Sequence, residues 1–293
     1  MFATAEKEAI SRQLEQAKER FEVGLIAITD VHDAQAGFDQ ARAGEILAIN
    51  EVDNSWEALH VIINRRPSDL APLTEKIPLE QPEPMDIESW RTAALKGNLE
   101  LVAARAGTKA TQKNISVQRS GHLPTLDIVG SVALNDTNQS IGSRTDTRTD
   151  TRTIGLQLNV PIFEGGAVNS RARQAQHNFQ EAQRNQDKTL RSVVRRVKDS
   201  FRGVLTSICQ VKALHAAMIS SESALEATEA GVEVGTRTMV DVLAEQRNLF
   251  RAKRDYSRAR YDYILNGLKL KQAAGSLMRE DIDTVSQLLL HHS

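Results

Sequence analysis

The chain has 293 residues, 37 basic and 38 acidic, with one cysteine and only 4% aromatic residues. The balanced charge gives no reason to expect nucleic acid, and no polybasic tract suggests a membrane surface; a lone Cys209 excludes an intrachain disulfide. No apolar run reaches the roughly 20 residues of a membrane-crossing helix, and so few aromatics beside so much Ala, Leu, Arg, Glu and Gln favour long helices over a globular core.

The N-terminus, "MFATAEKEAI", is no secretory signal and enters a helical pattern at once. The expectation is a chain that starts inside a larger architecture. Ile10, Leu14, Ala17 and Phe21 step 4-3-4, and after Gly24 the pattern resumes at Ala34, Phe38, Ala41, Glu45 and Ala48. The average of 3.5 is the period of a left-handed coiled coil. Helices over 3–22 and 28–63 are predicted, forming one hairpin (1–63) with a tip near 23–27 turned by Gly24.

Five of the seven prolines fall between Pro67 and Pro84, so 64–90 is a non-helical connection. A helical segment follows from about Asp86 to Arg119, interrupted near Gly97 and Asn98, with 91–121 as its domain. Residues 122–163 change period. In "PTLDIVGSVALND" the residues Leu126, Ile128, Gly130, Val132 and Leu134 share a face; in "TIGLQLNVPIF" so do Ile154, Leu156, Leu158, Val160 and Ile162. Alternation predicts two half-buried strands, each near the 9–11 residues that cross a bilayer in a barrel. Two strands cannot close a barrel alone, so a small soluble hairpin packed on the helices stands equally open. The polar stretch 136–152, with "RTDTRTDTRT", reads as their loop.

A long helical hairpin is predicted over 164–276, with a tip near 232–237. Leu190, Val194, Val197, Phe201, Val204, Ile208 and Val211 form its first seam, and Val242, Leu249, Tyr256, Tyr263 and Leu270 its second. Cys209, lone and on this helix, reads as a small core residue. A short amphipathic segment, 277–293, ends the chain; His291-His292 reads as a tail.

The tip "FEVGLIAITDV" (Phe21–Val31) is echoed by "VEVGTRTMVDV" (Val232–Val242): Glu-Val-Gly, five residues, then Asp-Val. Thr238-Met-Val-Asp241 fits a capping box, and Asp30 sits where a helix dipole favours an anion. The seven His have no metal-ligand spacing, and "FEGG" at Phe163–Gly166 lacks the Lys-Ser/Thr of a phosphate loop. No nucleophile–base constellation is present, so neither enzyme, cofactor nor metal is expected.

"VGLIAITDV", "GHLPTLD", "VPIFEGG", "VGTRTMVDVL" and "ARYDYILNGLKLKQAAGSL" together, in this order from about Ala5 to Leu289, resemble the TolC family of Gram-negative outer-membrane export channels. The resemblance implies a mainly α protein: an α-helical barrel tunnel of long antiparallel coiled-coil helices plus transmembrane β-barrel strands, here N-terminally incomplete, covering about the last two-thirds of a protomer. It implies a homotrimer in the cell outer membrane, spanning into the periplasm. The partners it implies are a periplasmic adaptor (membrane fusion) protein, an inner-membrane ABC, RND or MFS transporter, and outer-membrane lipid. The role it implies is a passive exit duct in tripartite efflux and type I secretion, carrying drugs, amphiphiles and proteins.

By the same resemblance, Arg237 matches an Arg that pairs with an Asp matched by Asp30, beside Thr29, and this pair holds the aperture shut. Arg260 matches a second gate Arg, with Gln13 and Glu229 as partners. Asp241 matches a pore-facing Asp of the constriction, and Gly24, Leu25, Gly235 and Thr236 match adaptor-docking tips. Two positions depart: Ala244 replaces a second pore Asp, and Val232 replaces a Tyr of the tip. The rival readings are a truncated, non-functional fragment and a soluble coiled-coil interaction protein. A periplasmic adaptor is a weaker rival, because lipoyl-like half-motifs are missing.

Overall fold

The heptad runs become long helices. The computed structural model describes residues 1–65, 67, 69–139 and 145–289. In chain order these are α1 (Phe2–Glu22), α2 (Ile28–Ile63), α3 (Ile87–Gly97), α4 (Leu99–Arg119), a 3-10 turn (Ser120–His122), β1 (Thr125–Gln139), β2 (Thr145–Asn159), α5 (Ala167–Glu233), α6 (Met239–Ala274) and α7 (Arg279–Ser286). None of the described helices is long and apolar enough to cross a membrane. The chain divides into two units: Met1–Asn98 with the chain from Val194 onward, and Leu99–Val193.

In the first unit α1 and α2 form the predicted hairpin. Ile10, Leu14 and Ala17 of α1 are buried with Ala34 of α2 and with Met239 and Leu243 of α6. Small residues permit this approach. Gly37 places its backbone so that a Cβ there would lie 3.8 Å from Leu243 Cδ1 and 3.9 Å from Ile10 Cγ2. Polar clasps flank the seam: Lys7 Nζ donates to both carboxylate oxygens of Glu45 at 2.7 and 2.9 Å, and Arg247 donates to Gln40 Oε1 at 3.2 Å. With 36 residues, α2 outruns the 21 of α1. Along that extra length Ile49, Val52, Val61 and Ile62 stay exposed.

The α5 seam Val197, Phe201, Val204, Ile208 and Val211 is buried as expected. Cys209 is the exception, being exposed. At 100° per residue it points well away from a stripe whose nearest members are Ile208 and Val211, so the core reading of this cysteine is corrected. The Pro-rich connection is tied onto α6. Tyr261 Oη accepts from Leu73 N at 3.4 Å, Arg260 donates to the Thr74 carbonyl, and Tyr263 Oη both accepts from Glu80 N and donates to Glu80 O. A bridge between Leu73 and Leu289 adds the C-terminal segment. Where α3 meets the end of α6, Asn98 Nδ2 donates to the Ala273 carbonyl at 3.0 Å.

In the second unit β1 and β2 form one antiparallel hairpin. Leu126 faces Leu158, Ile128 faces Leu156 and Gly130 faces Ile154, so the two predicted aliphatic faces are one face. The strands reach further than the aliphatic pattern. The ladder continues to Gln139 and Thr145, which removes 136–139 and 145–152 from the expected loop. Thr, Asn, Arg and Asp keep the strand parity without its hydrophobic mark, and Thr favours the extended backbone. Residues 140–144 of that loop, and the His291-His292 tail, lie outside the described residues. At the other end β2 stops at Asn159, ahead of Pro161, which has no ladder N–H. Gly165 and Gly166, both at positive φ (58° and 82°), turn the chain into α5.

Candidate functional site

The two echoed stretches are two helix ends of one design. At Gly24 (φ 77°) the Gly24 N–H reaches Phe21 O at 2.9 Å and Leu25 N–H reaches Arg20 O at 2.9 Å. At Gly235 (φ 74°) Gly235 N–H reaches Val232 O at 3.2 Å and Thr236 N–H reaches Gly231 O at 2.8 Å. Both are Schellman ends, in which a left-handed residue satisfies the last helical carbonyls. No atom lies within 4 Å of a Cβ built at either glycine, so backbone conformation and not crowding selects glycine there.

After each turn the chain re-enters a helix, and here the repeats diverge. Thr238 caps α6: its Oγ1 accepts from Asp241 N at 3.3 Å while Asp241 Oδ2 accepts from Thr238 N at 3.0 Å and from Thr238 Oγ1 at 3.0 Å. The corresponding cap of α2 is Ala27, which has no side-chain bond to offer. Asp30 therefore stands in the first turn without the hydroxyl that engages Asp241. Among the described residues its carboxylate has no hydrogen bond or ion pair, and neither has the guanidinium of Arg237. Arg237 instead lays its stem over Gly231, where a Cβ would come within 2.6 Å of Arg237 Cγ. Thr29, Arg237 and Thr236 are exposed.

The Thr238 backbone N–H, then its hydroxyl, and last the Arg237 charge hold the Asp241 carboxyl below the ordinary carboxylate range. A carboxylate depressed on folding contributes stability that is complete above its unfolded pKa of about 3.9 and is lost as pH falls through its folded value. Amide exchange at Asp241 and Val242 should therefore accelerate about tenfold beyond the chemical trend as pH falls below about 4. Asp241→Asn should abolish that extra acid dependence; identical profiles would remove Asp241 from the cap.

Around this polar centre the tips expose Val23 (70%), Leu25 (72%) and Val234 (73%). Val232 is half-buried and packs against both apolar clusters, one with Ile10 and Leu243, the other with Leu225, Val242 and Leu249. Ala244 is exposed. The grouping of Arg260 with Gln13 and Glu229 is not formed within the chain. Glu229 lies six residues before Gly235 and Arg260 twenty-five after it, an axial mismatch of about 28 Å between antiparallel helices. Arg260 serves the Thr74 carbonyl and stacks over Tyr256 at 5.5 Å. Sequence reading missed the strap residues Tyr261 and Tyr263. The heptad placed Tyr263 in a seam, and the signal that its hydroxyl would leave that seam was the adjacent polar run Arg260–Asp262.

No cluster that could hold a metal exists among the described residues. The arrangement presents exposed charge beside exposed apolar side chains. The sequence pattern of the family described as "Outer membrane efflux protein" matches residues 1–65 and 90–276. The outer membrane protein TolC of Vibrio cholerae serotype O1 is 43% identical over 286 residues, 97% of this chain and 65% of that protein. The alkaline protease secretion protein AprF of Pseudomonas aeruginosa is 27% identical over 286 residues, 97% of this chain and 59% of that one. The chain thus spans about three-fifths of the length of these curated relatives. The solved outer-membrane channel CmeC of Campylobacter jejuni superposes with a TM-score of 0.71 at 17% identity, over 98% of this chain and 61% of that one, a likeness of fold.

Proposed function

The chain belongs to the outer membrane efflux protein family, and from that premise we propose that it is a component of a gated outer-membrane exit duct. Three copies would complete a tunnel, with the β1–β2 hairpin in the outer membrane and the two tips at the periplasmic aperture. Energy would come from inner-membrane ABC, RND or MFS transporters, joined through an adaptor that docks at Gly24, Leu25, Gly235 and Thr236. The cargo would be drugs, amphiphiles and secreted proteins.

One observation carries the gate. Ala27 leaves the Asp30 carboxylate without a hydrogen bond or ion pair among the described residues, and the Arg237 guanidinium makes neither, acting on Asp241 only through space, so opposite charges stand ready at two tips that a neighbouring copy would bring together. Thr29 flanks that link. Asp241, repeated once per copy, would form an acidic constriction; Ala244 makes it a single ring.

Arg237→Ser is the test. Each lock would be a weak exposed pair, but three act on one two-state gate, so its loss should shift the closed-to-open ratio by about tenfold or more. Single-channel conductance in a planar bilayer and antibiotic sensitivity of cells should both rise. Ala27→Thr should act in the same direction by tying Asp30 to its own helix. Unchanged conductance in both variants would end the lock, and recovery of the protein in the soluble fraction would end the duct.

A further inference from the structure

The Arg-Asp-Thr run of β2 plays no part in the gate, yet its register places it. On the aliphatic face of the hairpin the side chains are 64–87% exposed, from Leu158 to Ile154. The same strand parity continues upward as Arg152, Asp150 and Arg148. Arg152 stands opposite Val132 and Asp150 opposite Leu134. The face therefore changes within two ladder steps from aliphatic to charged, while the other face carries Thr149, Thr151 and Thr153.

On β2 and the residue just after it, the face is aliphatic from Ile154 to Val160, about 20 Å of extended chain. At a barrel tilt of about 40° that covers about 16 Å of thickness, about two-thirds of the roughly 25 Å apolar band of a barrel wall, and Arg152 is the next position up. An arginine on the lipid face costs about 2–4 kcal/mol at mid-membrane and about 0–1 at its border. Three successive charged positions on that face accordingly mark the border. The usual aromatic anchors are missing, since 122–163 contains no Tyr or Trp. Arginine supplies the contact instead, with a planar fork that matches phosphate in bidentate fashion. Arg148 Nε lies 3.7 Å from Asp150 Oδ1, and the register sets Arg148 opposite Asp136. Arg152 has no ion pair among the described residues.

We propose that Arg148, Asp150 and Arg152 form a strip that docks phosphate-bearing lipid headgroups at the outward border of the membrane. Asp150 between the two arginines suits a headgroup layer in which divalent cations bridge the phosphates. The inference rests on the hairpin spanning the outer membrane.

The experiment purifies the protein from outer membranes in mild detergent and measures lipopolysaccharide retained per chain. It compares wild type, Arg148→Gln/Arg152→Gln, Arg148→Lys/Arg152→Lys, and Thr149→Ala/Thr151→Ala on the opposite face. The Gln variant should retain about tenfold less or below, the Thr variant the wild-type amount, and the Lys variant an intermediate amount. Equal retention in a membrane-inserted Gln variant overturns the strip and leaves the duct reading intact. Unchanged retention with a smaller oligomer overturns it too, because the charges would then join copies of the chain. Wild-type protein absent from the membrane overturns the duct reading and the strip with it.

Discussion

An alanine at Gly275 is expected to destabilise the first unit by about 3–5 kcal/mol, read as the shift of its denaturant midpoint. Two costs coincide there. Gly275 ends α6 at φ 74°, a left-handed conformation that costs an L-residue about 1–2 kcal/mol. The added Cβ would also overlap the Gly97 carbonyl, with Asn98 N only 2.7 Å away. These are backbone atoms at the end of α3, so no side chain can swing aside. Gly24→Ala provides the comparison: φ is 77° but nothing lies within 4 Å, so only the conformational part, about 1–2 kcal/mol, should appear. Equal losses in the two variants would show that the α3–α6 contact carries no strain.

Leu243→Ala should cost about 2–5 kcal/mol. Leu243 is 2% exposed and shares its cluster with Ile10, Leu14 and Ala17 of α1 and Ala34 of α2. The cavity would open where three helices meet, and such a site relaxes only in part to fill it. Amide exchange should accelerate in all three helices together, since they share the seam. Leu25→Ala, at an exposed tip position, should change stability by no more than about 0.5 kcal/mol. A Leu243→Ala effect confined to α6 would show that α1 and α2 hold each other without it.

Much of this was legible because repetition and periodicity are local. The 4-3 steps gave α1, α2, α5 and α6 within a few residues of their ends, and Gly24 and Gly235 marked the two tips. Thr238 and Asp241 lie three apart, so their reciprocal cap could be read directly. Asp30 needed a comparison of the repeats: only Ala27 in place of threonine tells that its carboxylate is unengaged. Strand length was obscured because the upper hairpin alternates Thr with charge, a period-2 pattern invisible to hydrophobicity. The bond from Arg260 to the Thr74 carbonyl was not legible because Thr74 belongs to an irregular segment that no period places. Cys209 was misread because one step around a helix separates a core position from an exposed one.

The strap of Tyr261, Arg260 and Tyr263 on the Pro-rich connection has a mechanical consequence. A helix gripped at several azimuths resists spinning: a 20° turn at a side-chain radius of about 6 Å would drag each grip by about 2 Å, beyond the reach of a hydrogen bond. Bending below the grip is the softer motion. From Arg260 to Met239 the arm, with α5 packed along it, is about 31 Å long, so a flexure of about 10° carries the tip sideways by about 5 Å. Because α1, α2 and α6 share one seam, that arm travels as a single lever with the collar at residue 260 as its fulcrum.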